Sequence, residues 1–109
     1  MAGEARANGG TIALSGDIDR SAEGVVTAAY DEVLRGGAGD LSLDFTDVAY
    51  INSTGIAVIV GILARARRDG MSVGAFGLSD HYKHVFEITR LSDFMTIHEN
   101  GGPTKEGME

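Results

Sequence analysis

Cysteine is absent from the 109 residues, which removes disulfides, thiol catalysis and thiolate metal sites together and fits a reducing compartment. Proline is almost absent, the single one being Pro103 near the C-terminus. Long apolar runs are missing too. The longest uncharged stretch of helical character, Ser53 to Ala64, is well short of the roughly 20 residues that a bilayer-spanning helix needs. The opening Met1-Ala2-Gly3-Glu4-Ala5-Arg6 contains no apolar segment of the secretory kind, so a cytoplasmic protein is expected. Positive charge is scarce: nine Lys and Arg against sixteen Asp and Glu give a net charge of −7. That balance opposes long-range attraction to nucleic acid or to an anionic membrane. It favours a partner with a basic surface, or simply keeps a small protein soluble.

Several chemistries lack their motifs. His81 and His84 share a helix face at a spacing of three, which is half a metal site, but no third ligand falls at a supporting interval. No serine lies in G-x-S-x-G, and no triad partners can be identified. Despite sixteen glycines there is neither a G-x-x-x-x-G-K-S/T loop nor a G-x-G-x-x-G turn. The residues therefore point to no enzyme, no cofactor and no metal.

What is present is a core. Hydrophobic residues make up 43% of the chain and are spread over its middle, as in one packed domain. Residues 1–10 and 99–109 are short, polar and Gly-rich and read as flexible tails around a folded part at 11–98. Thr11 to Ser15 alternates as a strand that leaves through a turn at Gly16-Asp17. From Ser21, Ala22, Val25, Val26, Ala29, Tyr30, Val33 and Leu34 recur at helical intervals until Gly36-Gly37. Leu41, Leu43 and Phe45 alternate as a second strand, followed by a loop through Val48 and Tyr50. A helix then runs from Ser53 to about Asp69, with Arg65, Arg67 and Arg68 suiting its C-terminal carbonyls. On that helix Ile56, Ile59, Val60 and Leu63 are expected to face the sheet, with Ala57, Val58, Gly61 and Ile62 nearer the outside. Met71 to Phe76 forms a strand, and Ser79-Asp80 opens a helix with Val85, Phe86 and Ile88 on its apolar face. Leu91 and Phe94 close the core beneath a last strand at Met95 to His98. This order implies an α/β fold: a single-domain open β-sheet with mostly parallel core strands and packed α-helices.

The most informative stretch is Tyr50 to Gly61, where a hydroxyl pair opens a helix whose next residues carry no charge. Asn, Ser and Thr make good N-caps, because their side-chain oxygens accept from the unpaired amides of the first turn. The same amides can hold a phosphate oxygen. The acids Asp17, Asp19, Asp44 and Asp47 lie at strand ends, where ligands collect in open α/β sheets and where Asp also serves turns and caps.

Leu43-Asp44-Phe45-Thr46-Asp47-Val48-Ala49-Tyr50-Ile51-Asn52-Ser53-Thr54-Gly55-Ile56-Ala57-Val58 resembles the signature of STAS domains, most closely that of the bacterial anti-sigma factor antagonists. That signature has a strand, a short acidic loop, then Asp-Ser-Ser/Thr-Gly-Leu-Gly-Val at a helix start. Gly16-Asp17-Ile18-Asp19 looks like the family's Gly-Glu-Leu-Asp turn. Leu78-Ser79-Asp80 through Leu91 looks like its Ser-Pro-x-Val-x-x-x-Leu-x-x-x-Gly-Leu segment. The resemblance implies a non-enzymatic regulator of transcription that binds a cognate anti-sigma serine kinase of the GHKL type, with a phosphatase as a further partner. It would act in sigma factor control and stress response. It places the phosphorylated hydroxyl at Ser53, with Thr54 as the adjacent alternative, and a partner surface at Asp17, Asp19, Asn52, Ser53, Thr54, Gly55, Ala57 and Val58. The family's Asp-Ser pair is Asn52-Ser53 here, a neutral amide in place of a carboxylate. The same resemblance permits an unphosphorylated scaffold subunit of a signalling assembly, and, less readily, a nucleotide-binding domain.

Overall fold

A computed structural model describes residues 2–98, and the expected tail at 99–109 lies outside the described residues. Five strands form one sheet in the order β1-β2-β3-β4-β5: β1 (Glu4–Asn8), β2 (Thr11–Ile18), β3 (Asp40–Ile51), β4 (Ser72–Phe76) and β5 (Thr96–Ile97). Only the β1–β2 pair is antiparallel, and β2 to β5 are parallel neighbours joined by helical crossovers. The crossovers carry α1 (Glu23–Arg35), α2 (Ser53–Arg68) and α3 (Asp80–Ile88). Strands added in one direction by right-handed connections leave their helices on one face. The burial pattern agrees, since Ile12, Leu14, Leu41, Leu43, Phe45, Val73 and Ala75 are buried while Ala13, between Ile12 and Leu14, and Ser72, just before Val73, are exposed. Phe86 of α3 meets Phe45 of β3 edge to face at 5.7 Å on that covered side.

Four differences from the sequence reading have physical causes. Residues 4–8, expected within a flexible tail, pair with β2 as an edge strand, Ala5 and Ala7 packing on the core while Glu4, Arg6 and Asn8 face water. Alternation is present there, but alanine buries too little area to announce it. The second difference is in β2 and β3, which run past the expected turn and loop. Pairing moves from Ala13↔Asp44 to Ser15↔Asp47 and from Gly16↔Val48 to Asp17↔Tyr50, so β3 takes an extra residue twice. Each bulge shifts the inward phase by one, which is why Leu41, Leu43 and Phe45 are followed by Val48 and then Ile51. Gly16 adopts φ +75° at the second shift instead of ending the strand.

The third difference is in α2, which buries Gly55, Ile59, Ile62, Leu63 and Ala66. The buried stripe is turned by roughly 50°, half of one helical step, from the expected one. Ile62 therefore points inward and Val60 is left 44% exposed. Finally, Ile88 is 65% exposed although Phe86 is buried, because residues two apart on a helix lie on nearly opposite sides. Phe94, expected in the core, is half exposed, whereas Met95 beside it is buried.

Tyr30 holds α1 to the C-terminal end of α2. Its ring is fully buried under the Arg65 guanidinium at 4.7 Å, its hydroxyl donates to Asp69 at 2.8 Å, and Arg65 pairs with Asp31 at 2.9 Å. Burial, reinforced by the Asp69 carboxylate, pushes its phenol up to about 12.

At the other end of α2 the first turn lies directly against β2. A Cβ placed on Gly55 would stand 1.8 Å from the Ile18 carbonyl oxygen, whereas one on Gly61 meets nothing within 4 Å. Gly55→Ala should therefore lose about 1–3 kcal/mol. Gly61→Ala, an exposed helical position, should gain about 0.5–1 kcal/mol. Urea unfolding followed by circular dichroism measures both, and equal responses would contradict the packing described.

Candidate functional site

The site is built where β3 ends. Asn52 is extended, with φ −97° and ψ −175°, and caps α2: its Oδ1 accepts from the Gly55 amide at 2.9 Å and from the Thr54 hydroxyl at 2.8 Å. The Asn52 amide donates to the Ile18 carbonyl at 3.3 Å, and the Arg20 amide donates to Thr54 Oγ1 at 2.9 Å. Thr54 therefore uses its proton on one segment and a lone pair on another, tying the β2–α1 turn to the start of α2. Tyr82 of α3 adds a third tie, its hydroxyl accepting from the Ile51 amide at 2.9 Å.

Ser53 differs from its neighbours. It is the first residue of α2, it is exposed, and its hydroxyl has no hydrogen-bond partner among the described residues. Among the described residues no carboxylate or imidazole is hydrogen-bonded to it to act as a base, so their geometry supplies no internal activation of a nucleophile. What it offers is an accessible hydroxyl at the positive end of a helix.

Of the residues expected to act together, Ser53, Thr54, Ala57 and Val58 line one open groove of about 330 Å³, with Arg20 and Glu23 opposite. Asn52 is the cap beside it, and Gly55 is the buried contact that seats the helix on Ile18. Asp19 caps a short 3-10 turn at Arg20–Ala22 and receives hydrogen bonds from the hydroxyl and amide of Ser21, which hold its carboxyl below the usual range, the hydroxyl foremost. Asp17 lies further back on β2, beside Tyr50 and bridged to Ala2. Of the two it is Asp19 that borders the groove through its neighbour Arg20. Sequence reasoning missed Arg20, Glu23 and Tyr82. Position directly after the Gly16-Asp17-Ile18-Asp19 turn was the available signal for Arg20, and nothing local marks Tyr82.

Among the described residues no helix is long and apolar enough to cross a membrane, and no three His, Asp or Glu side chains converge as metal ligands do.

A one-sheet α/β domain of this topology, with a capped hydroxyl pair opening its second helix, is a module of the STAS type. The family model described as "Mlab, STAS domain" matches residues 1–97, and the chain belongs to that family. Its relatives include the anti-sigma-B factor antagonist of Listeria monocytogenes, 44% identical over 57 residues, which are 52% of this chain and 50% of that protein. The chain thus spans about half the length of the Listeria relatives it matches. The anti-sigma-B factor antagonist of Staphylococcus aureus is 26% identical over 88 residues, 81% of this chain and 82% of that one. Among solved structures, the anti-sigma factor antagonist SpoIIAA matches in its unphosphorylated form with a TM-score of 0.64, 14% identity and coverage of 89% and 87%. The phosphorylated form of SpoIIAA from Bacillus matches with a TM-score of 0.63, 16% identity and coverage of 91% and 93%. At these identities the structural matches establish the fold. The curated relatives carry the name of regulatory antagonists, in line with a non-catalytic reading.

The cap can be tested on its own. Asn52→Ala should cost about 1 kcal/mol. Asn52→Asp, which restores the family's acid, should equal or exceed the parent by up to about 1 kcal/mol, because Asp caps as well as Asn and its charge suits the helix start. Equilibrium unfolding checks both, and a loss in Asn52→Asp as large as that in Asn52→Ala would contradict the capping geometry.

Proposed function

We propose that this chain is an anti-sigma factor antagonist that binds a cognate anti-sigma serine kinase and is switched by phosphorylation of Ser53. The observation that carries this reading is the contrast between two adjacent hydroxyls: Thr54 is engaged on both sides, and Ser53 is exposed and unbonded among the described residues. An attacking oxygen must be free to turn toward the phosphoryl donor, which favours Ser53 over Thr54. The names of the relatives, and a solved fold neighbour in a phosphorylated form, support the same reading.

Phosphorylation would add about −1.5 to −2 charges at the N-terminus of α2, where amides and the helix dipole accept them, so the domain stays folded. The dipole term is roughly 0.3–1 kcal/mol, whereas reversing a 99:1 bound population takes about 5.5 kcal/mol. Release therefore comes from repulsion, steric conflict and desolvation inside the interface, which requires the partner to cover Ser53 and the groove beside it. Regulation of this sort also requires the cytoplasm, where such kinases and ATP are found.

One observation favours a second reading, a scaffold subunit that is never phosphorylated. Asn52 replaces the acid next to the acceptor, and it performs the capping without a charge that a kinase could read. Incubation with GHKL-type anti-sigma kinases and ATP, followed by mass spectrometry, separates the two. Phosphate confined to Ser53 and abolished by Ser53→Ala is expected. Ser53→Asp should keep the parent's circular dichroism spectrum while losing about a hundredfold or more in kinase affinity, given the size of the shift required. No phosphate transfer together with a large particle in light scattering would point to the scaffold, and equal binding by both forms would falsify the switch.

A further inference from the structure

A second depression, of about 180 Å³, lies on the flank of α2 and is lined by Val60, Leu63, Ala64, Arg67, Leu91 and Phe94. Two of its walls are large apolar side chains left open to water, Val60 at 44% and Phe94 at 50% exposure. Among the residues that line it, Arg67 alone is charged. The other arginines of α2 are paired away from it, Arg65 with Asp31 at 2.9 Å and Arg68 with Asp69 at 3.8 Å, as is Arg90 with Asp93 at 2.8 Å. Arg67 has no carboxylate at ion-pair distance among the described residues, and its guanidinium lies over the Phe94 ring at 5.5 Å instead. An apolar hollow beside a cation with no carboxylate partner among the described residues is complementary to an apolar side chain beside an anion.

We propose that this hollow docks an acidic segment of a partner protein, one aliphatic or aromatic side chain entering between Val60 and Phe94 while a neighbouring carboxylate meets Arg67. The volume suits one or two side chains. Although the chain as a whole is acidic, only charges within a Debye length of about 8–10 Å act strongly on the bound segment, and the charged side chain lining the hollow is that of Arg67. The hollow also stands apart from the Ser53 tip. Fourteen residues of one helix separate Ser53 from Arg67, about 21 Å at the helical rise, which is beyond that screening distance. A segment docked here is therefore retained whether or not Ser53 carries charge.

The test is a nuclear magnetic resonance titration of the ¹⁵N-labelled full chain with two blocked tetrapeptides, acetyl-Glu-Phe-Leu-Glu-amide and acetyl-Lys-Phe-Leu-Lys-amide. The acidic peptide should shift the amides of Val60, Ala64, Leu91 and Phe94 saturably and bind roughly fivefold more tightly than the basic one, the effect of one exposed charge pair. Arg67→Glu should invert that preference, and Ser53→Asp should leave the affinity unchanged within about twofold, as screening predicts. Both positions are exposed, so neither variant threatens folding. Absence of saturable shifts at these amides, equal response to both peptides, or loss of binding in Ser53→Asp would each overturn the proposal. So would shifts that grow with protein concentration alone, which would assign the hollow to a second copy of the chain.

Discussion

The tip of α2 depends on one close contact, the backbone of Gly55 lying against the carbonyl of Ile18. No side chain fits between them, so the helix can approach the end of β2 closely enough for Asn52 to bond back to Ile18 and for Thr54 to reach the Arg20 amide. The whole tip is consequently made of three chain segments locked through main-chain groups and the side chains of Asn52 and Thr54. The exposed side chains that take no part in these bonds, such as Ser53 and Ala57, can then vary without disturbing the platform that presents them. Rigidity matters for the proposed switch, because a surface whose binding is to turn on one added phosphate must not relax around it.

Within that platform the division of labour is chemical. Asn52 supplies an acceptor, Thr54 supplies both a donor and an acceptor, and Ser53 is left with neither task. Adjacent hydroxyls that look interchangeable in the sequence thus differ in availability. The substitution of Asn for the family's Asp leaves this arrangement standing, since either side chain offers the oxygen that the first turn needs. What changes is the charge next to Ser53, which bears on the proposed recognition by a kinase and not on the fold.

Much of the architecture was legible. Alternation at Leu41, Leu43 and Phe45, helical spacing from Ala22 to Val33, and the cap at Asn52 each reflect a local preference that the tertiary structure keeps. The failures occur where a local period is interrupted or weak. Two bulges in β3 reset the phase between Phe45 and Ile51 and disguised a strand as a loop, while Ala5 and Ala7 buried too little surface to reveal β1. At the site, Ser53, Thr54, Ala57 and Val58 were named through the family resemblance, and helical spacing sets them along one face of α2. Arg20 enters through its amide and Tyr82 through a hydroxyl on another element, and such contacts leave no trace in residue type or spacing.

The central claim is that a partner grips the surface around Ser53. The lack of cysteine makes it directly measurable, because Ala57→Cys introduces a unique thiol on the exposed side of α2, inside the groove. A nitroxide attached there should become immobilised, by electron paramagnetic resonance, when an anti-sigma kinase binds, and should regain its mobility once Ser53 is phosphorylated. A label at position 57 that stays mobile in the complex, while one at the distant Glu32 on α1 becomes fixed, would contradict the account.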